Sequence, residues 1–505
     1  MPPAHFELDA RPEHPAPSEQ HGSLALQSDG SFVSLLEVSQ DVPALSFGAL
    51  FGAYANLANT VLGAGTLAVP VALSSAGLVS YELIVCCVVA LNLTTVQWLV
   101  EVADSLPKDM PRNYEGIARH YLGRFAAHVI SCVFIVGGLA LGISYMLFVS
   151  KSLAPVVAGL MSSSGTASEE EEAFLAEVIM WSLGLLVVLP LGLLRDISKL
   201  KFTSGIAIVT LIYAASFIIF RNAASLAEEP KVGEGFELVK LQSSFFVSLA
   251  MTTSNFSCHI SAIPIYESLG PNKSPRLMRR AVLGSLATAA LLYQAVGITS
   301  YLRFGELGSD QGNILEVVMQ STNRLSSPLE FAFGCLASAG VAFNLVFSMP
   351  VVMWALRSAC LSYSRAARSL LCARAASEAD TAEPSAAEWS VATGLLMLAI
   401  LVLATKVPDI RVVMSIGGSV GGTFIAFMYP ALFRLYVVKA KSRVCQAANW
   451  PELGVVALSV AYGVLSLSSA LEAAFQLEEP EPPDATTSTT STPPEAAKAL
   501  LRLLG

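Results

Sequence analysis

Eleven mainly apolar stretches follow one another from residue 47 to residue 472, with only short linkers between them. They cover 47–73, 78–102, 125–152, 173–193, 202–221, 242–266, 279–302, 328–356, 388–406, 410–436 and 450–472. An α-helix rises about 1.5 Å per residue, so about 20 apolar residues cross a hydrocarbon core about 30 Å thick. In lipid the backbone must satisfy its own hydrogen bonds, which leaves helices and closed barrels as the only spanning structures. The chain therefore reads as an all-α polytopic membrane protein of eleven transmembrane helices, with the bilayer as its first partner. Charged residues make up 14% of it, against about 25% in soluble domains.

The polar remainder is confined to the ends and loops. Residues 1–46 are polar and Pro-rich, lack the pattern of a secretory signal, and read as a disordered cytosolic tail. Residues 473–505, with EEPEPPDATTSTTSTPPE, read as a second disordered tail, acidic and rich in Pro and Thr. The transmembrane domain is thus 47–472. The net charge of −9 sits in tails and loops and does not point to nucleic acid. Eight scattered cysteines show no metal-ligand spacing and no disulfide framework. With the N-terminus cytosolic, most of the 30 Lys and Arg fall in cytosolic loops, as the positive-inside rule requires. The C-terminus is then extracellular or luminal. Glu82 and Glu101, near the two ends of the second span, read as interfacial. The loop PRNYEGIARHYLGR reads as a short amphipathic helix at the interface.

Two of the spans are poor helices. The first contains NLANTVLGAGTLAVPVAL (56–73), where Gly63 and Gly65 flank one alanine and Pro70 follows. Glycine costs about 1 kcal/mol against alanine in a helix interior and proline about 3. One reading is a helix that unwinds over Gly63, Ala64, Gly65 and Thr66 to hold a small polar ligand; the other is a Gly-rich helix packed closely on a neighbour. The sixth span contains SNFSCHISAIPIYESL (254–269), with Ser254, Asn255, Ser257, Cys258 and His259 ahead of Pro264. Interrupted spans at matching positions of two five-helix halves point to a transporter built of inverted repeats. Half-helix N-termini suit a carboxylate, and unwound carbonyls suit a monovalent cation. Neither span carries an acid at its centre, so a zwitterionic amino acid fits such a site. Ser254, Asn255 and Cys258 are candidate lining residues, with Tyr145 of the third span and Asn344 of the eighth as polar groups able to close the pocket. His259 reads as structural in preference to a proton relay.

Four segments resemble the amino acid/auxin permease superfamily, and most of all its sodium-coupled neutral amino acid transporter branch. NLANTVLGAGTLAVP is similar to that branch's first-helix N-x-x-N-x-x-x-G-x-G motif, and FSCHISAIPIYESL to its F-x-C-H-x-x-x-x-P-I-Y-x-E-L. YLRFGELGSDQGNIL (301–315) resembles the segment after its seventh helix. SMPVVMWALRSA (348–359) and VPDIRVVMSIGGSVGGTFIAFMYPALF (407–433) resemble the ends of its helices eight to ten. The resemblance implies a LeuT-like 5+5 inverted repeat with helices 1 and 6 broken, and cation-coupled movement of small neutral amino acids. It also implies a cation site shared by helices one and eight. Asn59 and Ser348 hold the matching positions, with Na+ as the metal it would take. Val346 stands where the branch tends to have threonine, which keeps a proton-coupled vacuolar permease open. The membrane is accordingly either the plasma membrane or a vacuolar or lysosomal one. No cofactor is called for beyond the coupling ion, Na+ or H+.

The class this supports is a secondary active transporter working by alternating access. No G-x-x-x-x-G-K-[ST] motif is present to use ATP. The alternative is a transporter-like receptor that senses amino acids. A channel would call for rings of charge or a filter loop, and an enzyme for a catalytic dyad or metal cluster; the chain shows none of these.

Overall fold

The structure, a computed structural model, describes residues 47–107, 109–162, 168–194, 201–306, 312–371, 385–407, 409–439 and 449–476, with backbone alone for 201–205, 362, 365–371 and 476. The two tails read as disordered lie outside these residues, apart from the first turn of the C-terminal one. Every regular element among the described residues is helical. In chain order these are α1 (Phe47–Val61), α2 (Gly65–Ala76), α3 (Leu78–Ser105), α4 (Tyr114–Tyr121), α5 (Arg124–Met161), α6 (Glu169–Gly192) and α7 (Lys201–Glu228). There follow α8 (Ser244–Phe256), α9 (His259–Ser268), α10 (Pro275–Phe304), α11 (Ile314–Gln320), α12 (Pro328–Leu371), α13 (Ala386–Lys406), α14 (Ile410–Val438) and α15 (Trp450–Gln476).

Among the described residues nine helices are long and apolar enough to cross a membrane, and the bent pair α1–α2, counted as one span, makes ten. The sixth expected span is the pair α8–α9, two short helices of which α9 has only 10 residues. Several helices run past their apolar cores. The eighth, expected over 328–356, continues to Leu371, and Arg357, which the sequence places in a loop, is buried within it. Its guanidinium donates to Gly192 O at 2.9 Å and Thr393 Oγ1 at 2.6 Å and stacks on the Trp389 ring. Helix starts follow local chemistry. Ser168 and Glu171 form a capping box at the head of α6, which opens on four glutamates, where the helix dipole favours negative charge. Ser385 and Glu388 do the same for α13. The loop helix expected after the second span is α4, capped by Asn113 and burying Tyr114, Ile117 and Ala118.

The long helices form two neighbourhoods. α12 packs along α5 and α7, and α14 along α5, α8 and α15, while α10 packs on α1, α2, α3 and α7. The half-helices meet crosswise, α2 against α8 and α1 against α9. The acids of the second span are not simply interfacial. Glu101 receives Arg434 Nε at 2.6 Å, and the Glu82 carboxyl turns inward to accept from the Gln294 amide. A polar side chain near a span end finds a better partner on a neighbouring helix than at the lipid headgroups.

Residues 231–241, between α7 and α8, form a strap over three helix ends. Leu78 N and Val79 N donate to Glu237 O and Leu238 O at 3.1 and 2.8 Å, and Lys240 N donates to Ala76 O at 2.8 Å. At its other end Gly233 N donates to Leu302 O and Glu306 N to Glu234 O, both at 2.9 Å. Glycine is required where the strap touches down. Gly305 has φ +58°, and a Cβ there would lie 1.9 Å from Glu234 O.

The short helix α11 carries Glu316, whose Oε2 is buried without a partner among the described residues. Burial pushes this carboxyl up from 4.5 to about 8, against the pull of Lys151 and with a smaller push from Glu172. A carboxyl raised in the folded state binds more protons there than in the unfolded chain, so its contribution is full below about pH 4.5 and lost as pH rises through about 8. The thermal midpoint of the purified protein should therefore fall over that window, and Glu316→Gln should flatten the fall. An equal slope in the variant would assign the dependence elsewhere.

Candidate substrate site at the two helix breaks

The first break lies where the sequence places it. α1 and α2 meet at 58° across Leu62, Gly63 and Ala64. Leu62 N still reaches Ala58 O at 2.7 Å, but Thr66 N and Leu67 N turn back tightly to Gly63 O and Ala64 O at 3.1 and 3.0 Å. The amides of Gly63 and Ala64 make no backbone hydrogen bond to a described residue, and α2 starts without a side-chain cap. Amides without a backbone acceptor at a helix N-terminus suit an anionic group.

The second break is at Ser257 and Cys258, within the polar stretch that marked it in the sequence and six residues ahead of Pro264. Ser257 is extended (φ −77°, ψ 120°), and α9 also starts without a side-chain cap. The freed carbonyl of Phe256 accepts from Asn92 Nδ2 of α3 at 3.3 Å. His259, fully buried, has Nε2 2.8 Å from Thr95 Oγ1 and Nδ1 3.3 Å from Ser257 Oγ. Nε2 thus ties the break to α3 while Nδ1 ties the ring to the break's own Ser257, as a structural histidine would. Pro70 and Pro264 each occupy the sixth residue of the half-helix that follows a break. A proline there cannot donate to the carbonyl four residues back, so each half-helix leaves an acceptor free in its first turn.

The breaks face each other across Gly65. A Cβ on Gly65 would lie 2.5 Å from Asn255 Oδ1 and 3.1 Å from the Tyr293 hydroxyl. Tyr293 of α10 donates to Val61 O, at the end of α1, at 2.7 Å. Thr66 Oγ1 and Asn255 Nδ2 are buried and without a hydrogen-bond partner among the described residues. Buried polar groups in proteins are nearly always paired, and an unpaired one calls for an explanation. Around Gly63, by contrast, a Cβ would meet nothing within 4 Å. The Gly63 and Ala64 amides thus lack backbone partners next to the open space at Gly63, and a buried, unpaired Asn255 amide donor lies beside Gly65, groups suited to binding a carboxylate.

Of the candidate residues, Gly63, Ala64, Gly65, Thr66 and Asn255 come together here, and the Tyr145 phenol lies within electrostatic range of Tyr293. Cys258 is at the break with its thiol side chain buried, while Ser254 is exposed and faces Gly418 of α14. Asn344 and Ser348 turn toward α7: Asn344 Nδ2 donates to Ala207 O at 3.1 Å, and Ser348 Oγ donates to Asn344 Oδ1 at 3.3 Å. Asn59 is half-buried on α1 and its side chain makes no hydrogen bond to a described residue. Sequence reasoning missed Tyr293, Asn92 and Thr95. Their signal was a polar tip at the centre of an intact span, which marks an inward-facing position as surely as a broken helix does.

A family model described as transmembrane amino acid transporter protein matches residues 48–471. Among curated relatives, vacuolar amino acid transporter 5 of Schizosaccharomyces pombe is 25% identical over 75% of this chain and 82% of its own. Sodium-coupled neutral amino acid transporter 7 of Xenopus laevis is 24% identical over 83% of this chain and 86% of its own. Amino acid transporter AVT6E of Arabidopsis thaliana is 22% identical over 77% of this chain and 76% of its own.

Proposed function

The chain belongs to the transmembrane amino acid transporter family, and from that membership we propose that it is a secondary active transporter of small neutral amino acids, driven by a Na+ or H+ gradient. The observation that carries this reading is the pair of breaks facing each other across Gly65, with amides that lack backbone partners on one side and the buried, unpaired Asn255 amide on the other. The substrate carboxylate binds the Gly63 and Ala64 amides and the Thr66 hydroxyl. The Asn255 amide orients the rest of the substrate, and Tyr293 and Tyr145 close the cavity.

In this reading the chain has eleven spans, α8–α9 being the sixth, arranged as a LeuT-like inverted repeat with its N-terminus in the cytosol. The crosswise contacts of the half-helices and the matching prolines support the repeat. Alternating access moves α1–α3 and α8–α10 against α5, α6, α12 and α13. Where the coupling ion is Na+, Asn59 and Ser348 serve it, with Val346 as the departure that bears on its identity. A relative whose name specifies sodium coupling and another whose name specifies a vacuole leave both cations and both membranes within the proposal.

The test is uptake of radiolabelled amino acids into proteoliposomes under imposed Na+ or H+ gradients. Accumulation driven by one gradient is expected, and uptake indifferent to both would sink the proposal. Asn59→Ala should raise the cation concentration needed for half-maximal uptake while leaving the order of substrate preference intact. An unaltered cation requirement would make Asn59 a packing residue.

A further inference from the structure

α3 and α10 are joined inside the bundle by a carboxyl and an amide. Gln294 Nε2 donates to Glu82 Oε2. The remaining two oxygens of this contact, Glu82 Oε1 and Gln294 Oε1, are both buried, and neither has a partner among the described residues. An ionised carboxylate offers only acceptors, and so does an amide oxygen. In that state the two orphan atoms cannot satisfy one another, and the carboxylate keeps a full charge in a helix that crosses the membrane. With a proton on Oε1 the same groups close as an acid–amide pair of two antiparallel bonds, the amide N–H to the acid C=O and the acid O–H to the amide C=O. One proton satisfies both orphan oxygens and removes the charge.

No described cation pairs with Glu82, whose hydrogen bond among the described residues comes from the Gln294 amide. An ionisable neighbour of Glu82 is a phenol, Tyr81 on α3. α1, α2 and α8 carry no charged residue. The one charge of α9, Glu267, is paired with Arg112 and Lys273 beyond the other end of α3. On α10, Arg303 is bound to Asn222 and Ser321, and the remaining arginines lie in its first two turns. On α3, Glu101 is paired with Arg434 and Asp104 with the Tyr266 hydroxyl.

We propose that Glu82 holds a proton on Oε1, donated to Gln294 Oε1, and that this acid–amide pair is the proton-binding site from which the transporter loads and releases its coupling proton. Release transfers the proton from Oε1 to water and leaves the carboxylate; loading reverses it, and no other bond changes. The coupling role rests on the transport reading above, whereas the acid–amide pair does not.

Infrared spectra of the purified, reconstituted full-length protein at neutral pH test the pair. In a Glu316→Gln background, which removes the carboxyl pushed up to about 8, the protein should show the carbonyl stretch of a protonated carboxylic acid, which Glu82→Gln loses and the exchanged pair Glu82→Gln/Gln294→Glu regains. An equal band with and without Glu82→Gln in that background overturns the proposal. Should Glu82→Gln not fold, Gln294→Leu replaces it. Loss of the acceptor must then move the band to higher frequency, and an unmoved band overturns the pair. In the same proteoliposomes an inward acid gradient should drive accumulation of a mixture of radiolabelled neutral L-amino acids. Glu82→Gln should reduce that accumulation within the about 5–150-fold range of coupling free energies. Undiminished accumulation in the variant overturns the coupling role. A wild type that neither accumulates nor exchanges these amino acids refutes the transport reading, and the infrared band then decides the acid–amide pair alone.

Discussion

Gly65→Ala should cut amino acid uptake by about 5–150-fold, the equivalent of the about 1–3 kcal/mol that overpacking costs in a well-packed interior. The added methyl would lie 2.5 Å from Asn255 Oδ1 and 2.7 Å from its Cγ, closer than real Cβ atoms approach anything. Asn255 sits one residue before the end of α8, and its side chain must swing away or carry the second break with it. Either response disturbs the point where the substrate should bind. Asn255→Ala removes the obstructing amide, which yields a sharper test. The double variant Gly65→Ala/Asn255→Ala should transport as well as Asn255→Ala alone, because residues in contact are not additive. Additive losses would mean that Gly65 matters for another reason. Gly63→Ala provides the contrast. Its methyl meets no protein atom within 4 Å, so the folded protein should keep its thermal midpoint, and weakened substrate affinity would report a ligand in that space.

Arg434→Leu should destabilise the protein by about 3–5 kcal/mol, the usual consequence of removing one partner of a buried ion pair. Arg434 lies across three helices. Its Nε bonds Glu101 of α3, a terminal nitrogen bonds Glu452 of α15, and its guanidinium stands 5.2 Å from the centre of the Trp98 ring. Glu452 is fully buried and would be left with Lys439, 2.7 Å away, as its remaining described cation. The expected result is a lowered thermal midpoint in detergent and a reduced yield of folded protein. Arg434→Leu/Glu452→Leu should recover much of the loss, since replacing both charges by apolar groups of similar volume is often neutral or better. A single variant as stable as wild type would show that water reaches Glu452 and solvates it.

Local composition in the sequence revealed the first break almost to the residue, because two glycines around one alanine act within a single helix turn. The second lies within the polar stretch ahead of Pro264, at Ser257–Cys258, and the proline rides inside α9. At the sixth residue of a helix a proline removes one hydrogen bond to the first turn. Asn344 and Ser348 illustrate a different limit. Their spacing of four places them on one face of α12, where they bond to each other, but nothing local says whether that face meets α1 or α7. Packing decides, and it puts Asn344 against Ala207. Glu82 was harder still, since a carboxyl at a span end normally lies in the headgroups, and its amide partner is more than 200 residues away.

The strap at 231–241 has a bearing on the order in which the protein is made. Its bonds to Ala76, Leu78 and Val79 join it to helices already synthesised, whereas its bonds to Leu302 and Glu306 await α10, which emerges later. Until then Gly233 N and Glu234 O have no partner, and a nascent chain halted after α9 carries a clasp fastened on one side only. Closure of the clasp therefore marks the moment when the seventh expected span has arrived. A ribosome-bound intermediate stalled before that point should expose residues 231–236 to cleavage by a protease that the finished protein resists.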